Sequence, residues 1–200
     1  KKIRFEGNGY GEEWVKDAEK RGLSNRKDTP RALQAYHDKS IEQLFESMGV
    51  LSPRELEARR EIEFDGYVLK IQIESRLMGD LVNNNIIPAV LEYQNKLIQN
   101  IQGMMSVFGE KEGKTMASTQ IDILKQVNLH LAAMKSASEK MLAERKKANS
   151  MEDVEKKALA YCDKVKVHFD EIRYHADKLE LIVEDELWPL PKFRELLFIR

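Results

Sequence analysis

One cysteine in 200 residues, Cys162, leaves nothing to build a disulfide framework or a cysteine zinc site, and points to a reducing compartment. Long apolar runs are missing as well. None approaches the ~20 residues of a spanning helix, and no signal-peptide pattern opens the chain, so no membrane association is expected. Charge of one sign is also lacking: 33 Lys+Arg stand against 34 Asp+Glu, a net charge of −1. The basic runs Arg145-Lys146-Lys147 and Lys156-Lys157 lie among Glu144, Glu152, Asp153 and Glu155. They read as solvated helix faces, which argues against nucleic acid as a partner. No Ser-His-Asp order, phosphate loop or strand framework for a nucleophile elbow is present. Gly7, Gly9 and Gly11 match neither G-x-G-x-x-G nor a P-loop and read as a glycine turn ahead of a helix.

With only five prolines and ten glycines, 34% charged and 42% hydrophobic residues, the composition is that of a folded helical protein. The periodicity predicts an all-α fold: an elongated antiparallel three-helix bundle with long helices, plus short N-terminal helices and a docked C-terminal tail. The expected division is 1–50 for the N-terminal segment, 51–188 for the bundle and 189–200 for the apolar tail. "EEWVKDAEKRG" predicts a short helix closed at Gly22. Thr29-Pro30 predicts an N-cap and first turn, and Leu33, Tyr36, His37, Ile41, Leu44, Phe45 and Met48 predict one amphipathic helix ending at Gly49. "LSPRELE" carries the clearest start signal: Ser52 caps, Pro53 takes the first position and Glu55 completes a capping box between the staple residues Leu51 and Leu56.

The first long helix takes Phe64, Val68, Ile71, Leu77, Leu81 and Val82 as apolar positions, then Ile86, Val90, Tyr93, Leu97, Ile101, Met104 and Phe108. Pro88 lies inside it and predicts a bend rather than a break, because the stripe resumes in phase at Val90. "GEKEGK" predicts a turn. The second helix, Thr115 to Ala148, carries Leu124, Val127, Leu131, Met134, Ser138 and Met141 in heptads. The third carries Val154, Ala158, Tyr161, Val165, His168, Ile172, His175, Leu179 and Ile182.

His168 and His175, with Glu171 between them, form the one grouping that suggests a metal site. It does not match the Glu-x-x-His spacing of di-iron bundles, so structural or interface histidines are the alternative, with His130 able to approach from the second helix. No metal or other cofactor is expected in the chain. Cys162 reads as an inert thiol and the methionines as core filling.

Four strings are more distinctive than the heptads between them: "GNGYGEEWVKDAEKRGL" (Gly7–Leu23), "TPRALQAY" (Thr29–Tyr36), "IIPAVLEYQ" (Ile86–Gln94) and "RYHADKLELIVEDELWPLPKFRELLF" (Arg173–Phe198). In order, they resemble the region following the catalytic core of type III glutamine synthetase. The resemblance implies the C-terminal helical region of a cytoplasmic glutamate–ammonia ligase that uses ATP and magnesium and assembles into hexameric rings. None of that family's active-site motifs occurs here, so no catalytic residue carries over and the chain itself is expected to be inactive. Its opening at Lys1 reads as mid-chain text of a longer protein. Expected partners are its own catalytic domain and neighbouring subunits of a homo-oligomer.

The apolar end has the same implication. Leu187, Trp188, Pro189, Leu190, Pro191, Phe193, Leu196, Leu197 and Phe198 are expected to form an anchor, docked on the chain's own first helices or on the catalytic body, with Pro189 and Pro191 stopping the third helix. A free-standing helical interaction module and a metal-bundle protein are the competing functions.

Overall fold

A computed structural model of the protein describes residues 4–197, and every regular element among them is helical. The chain divides into two compact units, 1–67 and 68–200. The division falls inside the helix whose start marks the boundary expected at residue 51.

In the first unit, α1 (Glu12–Lys20) begins after Gly11, with Glu12 and Glu13 facing the positive end of the helix dipole. Gly22 ends it at φ +75°, a conformation that disfavours any side chain. The Phe5 ring lies 4.5 Å from that of Trp14. The helix expected to run on to Met48 is instead three pieces: α2 (Thr29–Leu33), a 3-10 turn (Gln34–His37) and α3 (Lys39–Ser47). Asp38 breaks it with extended backbone (φ −69°, ψ 119°), and Arg26 holds its carboxylate at 3.2 Å. The cap of α2 is Asp28 rather than Thr29. Its carboxylate accepts from the Arg31 N–H at 2.9 Å, a stronger acceptor than a hydroxyl.

The capping box forms as predicted. Helix α4 (Pro53–Asp80) starts with the Ser52 N–H donating to Glu55 Oε2 at 2.8 Å and the Glu55 N–H facing Ser52 Oγ at 3.4 Å. The hydrogen bonds from Ser52 hold the Glu55 carboxyl below its ordinary range.

The second unit is built on three rods. The first continues from α4 through a π turn (Leu81–Ile86) into α5 (Ile87–Phe108), with no loop at Pro88. Proline has no N–H for the regular i→i−4 ladder, and it sits one residue into α5, directly beyond the wider turn. The Asn83 side chain donates back to the Gly79 carbonyl at 2.8 Å in the same stretch. Gly109, at φ +83°, breaks the rod.

"GEKEGK" is a turn only at its first residue. Glu110–Met116 form α6, packed back on α5 so closely that a Cβ on Gly113 would stand 2.5 Å from Met105 Cα. The second rod is α7 (Ser118–Asn149). The third consists of α8 (Val154–Ala160), a π turn (Tyr161–Val165), a 3-10 turn (Lys166–His168) and α9 (Phe169–Ile182).

Contacts fix the directions of the rods. Gln72 donates to Asn149 at 3.0 Å, and a Cβ on Gly79 would meet Leu142 at 2.9 Å, so α7 descends as the first rod ascends. Tyr161 donates to the same Asn149 carbonyl, and His130 meets His175 at 2.9 Å, so the third rod runs antiparallel to α7. Val127, Leu131, Met134, Ser138 and Met141 are buried, as are Ala158, Tyr161, Val165, Ile172 and Leu179. Leu77 is not a core residue: it is 56% exposed, while Ser75 and Gly79 take the inward positions. Small residues there let α4 and α7 approach, as the Gly79–Leu142 distance requires.

Candidate functional site

Two places in the second unit bring together side chains with chemical capability: the histidines between α7 and α9, and the segment after α9.

The candidate metal residues are not gathered into one set. His168 Nδ1 lies 3.9 Å from Glu171 Oε2, whereas His175 meets His130 of α7, Nδ1 to Nδ1, at 2.9 Å. Among the described residues, no group of three or more His, Cys, Asp or Glu side chains is placed to hold a metal ion. His130 and His175 are both half-buried, and the Tyr174 ring stands against each, 5.1 Å from His175 and 6.3 Å from His130. Burial first, then the positive charges of His175 and Lys178, hold the His130 imidazole below its ordinary value of 6.5. Cys162 is a half-buried free thiol.

Helix α9 ends at Ile182, well before the prolines expected to stop it. Val183 turns extended (φ −72°, ψ 139°), and the N–H groups of Leu187 and Trp188 both donate to the Glu184 carbonyl, at 3.0 and 3.1 Å. The carbonyl end is capped from further along the chain. The Lys192 ammonium returns to the helix end, donates to the carbonyl of Glu180 at 2.8 Å and of Val183 at 3.4 Å, and pairs with Asp185. A cation at the carbonyl end of a helix satisfies its orphan acceptors and its dipole together. From the first rod, Lys96 pairs with Glu184 at 2.7 Å.

Around this clamp, Trp188 and Val183 are buried, Leu187 and Leu190 are half-buried, and Pro189 and Pro191 are exposed. A short helix follows, α10 (Phe193–Leu196), where Glu195 accepts from the Lys192 N–H at 3.1 Å. Leu196 and Leu197 are 70% and 63% exposed, and Phe198 lies outside the described residues. Sequence reasoning missed Lys192, because a lysine in an oily tail looks like a solvent-facing residue. It missed the His130–His175 contact because each helix shows its own stripe but not its register against the neighbour.

Replacing Lys192 with methionine keeps the stem and removes the cap. The expected loss is ~1–2 kcal/mol, between a neutral and a charge-assisted hydrogen bond. Urea melts followed by Trp188 emission in a Trp14→Phe background will measure it. An unchanged midpoint would show that the clamp is not a stabilising element.

The family model described as glutamine synthetase C-terminal domain matches residues 1–105. The chain is 40% identical over 198 residues to a glutamine synthetase of Bacteroides fragilis (strain YCH46), covering 99% of this chain and 27% of that protein. It is 32% identical over 199 residues to the type-3 glutamine synthetase of Dictyostelium discoideum, covering 100% and 27%. To a glutamine synthetase of Butyrivibrio fibrisolvens it is 31% identical over 199 residues, covering 99% and 28%. The chain thus spans just over a quarter of the length of these relatives.

Proposed function

Because the chain belongs to the glutamine synthetase C-terminal domain family, we propose that it is the non-catalytic helical region of a cytoplasmic glutamate–ammonia ligase. The ATP- and magnesium-dependent chemistry of that ligase would reside elsewhere in the polypeptide. The region's own work would be structural: supporting the catalytic body and joining subunits of a homo-oligomer. The observation that carries this reading is the alignment itself, which runs nearly end to end in this chain yet takes up 27% or 28% of each relative.

Two surfaces suit such a role. Leu69, Ile73 and Leu77, four residues apart on one face of α4, are each more than half exposed, and Leu196 and Leu197 add apolar surface at the tail. An exposed apolar stripe at helical spacing is the usual mark of a contact surface. On this reading Leu187, Trp188, Pro189, Pro191, Phe193, Leu196, Leu197 and Phe198 form an anchor whose rigid part is Trp188 and its lysine clamp.

The test is a deletion of Lys192–Arg200 in the full-length enzyme. The expected result is a weakened oligomer on size-exclusion chromatography and a lowered melting temperature, before any change in turnover per folded active site. The 200-residue chain alone should show a helical circular dichroism spectrum and no γ-glutamyl transfer. An intact oligomer with an unchanged melting temperature would sink the assembly role. Turnover by the pure chain would sink the non-catalytic reading.

A further inference from the structure

We propose that the His130–His175 pair is an acid-sensitive latch on the seam between α7 and α9, closed only while at least one of the two rings is neutral. The geometry carries the argument. Two imidazole Nδ1 atoms 2.9 Å apart form one hydrogen bond, which needs a donor N–H on one ring and a lone pair on the other. Two neutral rings satisfy it, and so does one neutral ring beside one cation. Two cations do not: donor then faces donor, and two positive charges share a half-buried space.

The charges that bear on His130 are positive. Of the groups bearing on His130, His175 and Lys178 both come from α9 and both carry positive charge when protonated. Two of the four carboxylates of α9 pair elsewhere, Glu171 with His168 at 3.9 Å and Asp177 with Arg173 at 3.7 Å. On α7, Asp122 pairs with Lys125 and Glu139 with Lys135. Lys96 of α5 pairs with Glu184. A second proton on the pair therefore meets the positive charge of the partner ring and of Lys178, beside the edge of Tyr174.

The sign follows from linkage. The folded chain holds the His130 ring below its ordinary value of 6.5, so the opened chain binds more protons once the pH falls through that value. The latch contributes fully above about 6.5 and is progressively lost below it. It lies two turns before Ile182, so its release frees the end of the third rod, where the Lys192 clamp and Trp188 begin. On the assembly role proposed above, surfaces that depend on the tail would become pH-dependent through this contact.

The experiment is hydrogen exchange across α9 between pH 8 and pH 5, corrected for intrinsic rates, with NMR titration of the two rings. Protection of α9 should fall up to tenfold per pH unit for each proton taken up below about 6.5. The His130 ring should titrate below its ordinary value of 6.5. In the double variant His130→Gln/His175→Gln, amide groups pair at every pH, so the acid response of α9 should flatten. The single variant His130→Gln, which removes the repulsion and keeps His175, should do the same and stands in if the double variant folds poorly. An acid response unchanged in the variants would overturn the proposal. So would a His130 ring that titrates at its ordinary value of 6.5.

Discussion

Ile172→Ala is expected to destabilise the protein by roughly 2–5 kcal/mol, the usual cost of truncating a large aliphatic side chain in a packed core. Ile172 is 2% exposed, on the face of α9 that continues the buried positions Tyr161 and Val165 upstream and Leu179 downstream. Removing three carbons there leaves a void that a helix tied at both ends cannot close. Asn149 holds the start of the third rod through Tyr161, and Lys192 holds its end. Leu131→Ala on α7 should behave alike. Lys147→Ala, which removes a 70% exposed side chain paired with Glu144, should stay within about 0.5 kcal/mol. Denaturant melts of the three variants compare buried and solvated faces directly. Equal midpoints would mean the faces are wrongly assigned.

The second large effect concerns a glycine. Gly113→Ala should strip α6 from α5, because its Cβ would lie 2.5 Å from Met105 Cα and 2.6 Å from the Met104 carbonyl oxygen. Those are backbone atoms of a continuous helix, and they cannot swing aside as a side-chain tip can. The expected cost is about 1–3 kcal/mol, read as lost exchange protection in α6. Gly103→Ala is the matched opposite. Gly103 also lies in a helix, but nothing stands within 4 Å of the added carbon. That change should stabilise by roughly 0.5–1 kcal/mol through helix propensity alone. Two glycine-to-alanine changes ten residues apart should thus have opposite signs. Equal signs would place the cause in propensity rather than contact.

These two glycines also show what could be read in the sequence. Long-range helical periodicity was legible because burial repeats it, and the capping box was legible because its chemistry is local. Gly113 was not: a glycine within "GEKEGK" looks like a turn residue, and only the return of α6 onto α5 reveals it as a close contact. Ser75 and Gly79 were equally hidden, because small residues at a helix seam carry no hydrophobic signal, and the apolar Leu77 drew the assignment to the wrong face. Asp38 resembled a polar position on an amphipathic helix until Arg26 and an extended ψ broke the chain there. The histidine pair depends on how α7 and α9 slide against each other, which neither helix states alone. The resemblance to glutamine synthetase rested on strings at both ends and near Pro88, and residues 1–105 are where the family model matches.

The π turns at Leu81–Ile86 and Tyr161–Val165 affect how this chain tolerates changes of length. A π turn closes its hydrogen bonds one residue further along than an α turn, so each stores one residue of slack in a helix that otherwise has none. Loss of a single residue inside α7 would rotate everything beyond it by about 100°, turning Met134 and Met141 from the core to water. Loss of one residue inside a π turn would tighten it to an α turn and leave the downstream faces nearly where they were. At Leu81–Ile86 the slack is already spoken for, because the tightened ladder would have to run through Pro88. The turn at Tyr161–Val165 has no proline directly beyond it, but the 3-10 turn at Lys166–His168 follows at once and closes one residue sooner than an α turn, so the third rod has already taken back part of that slack.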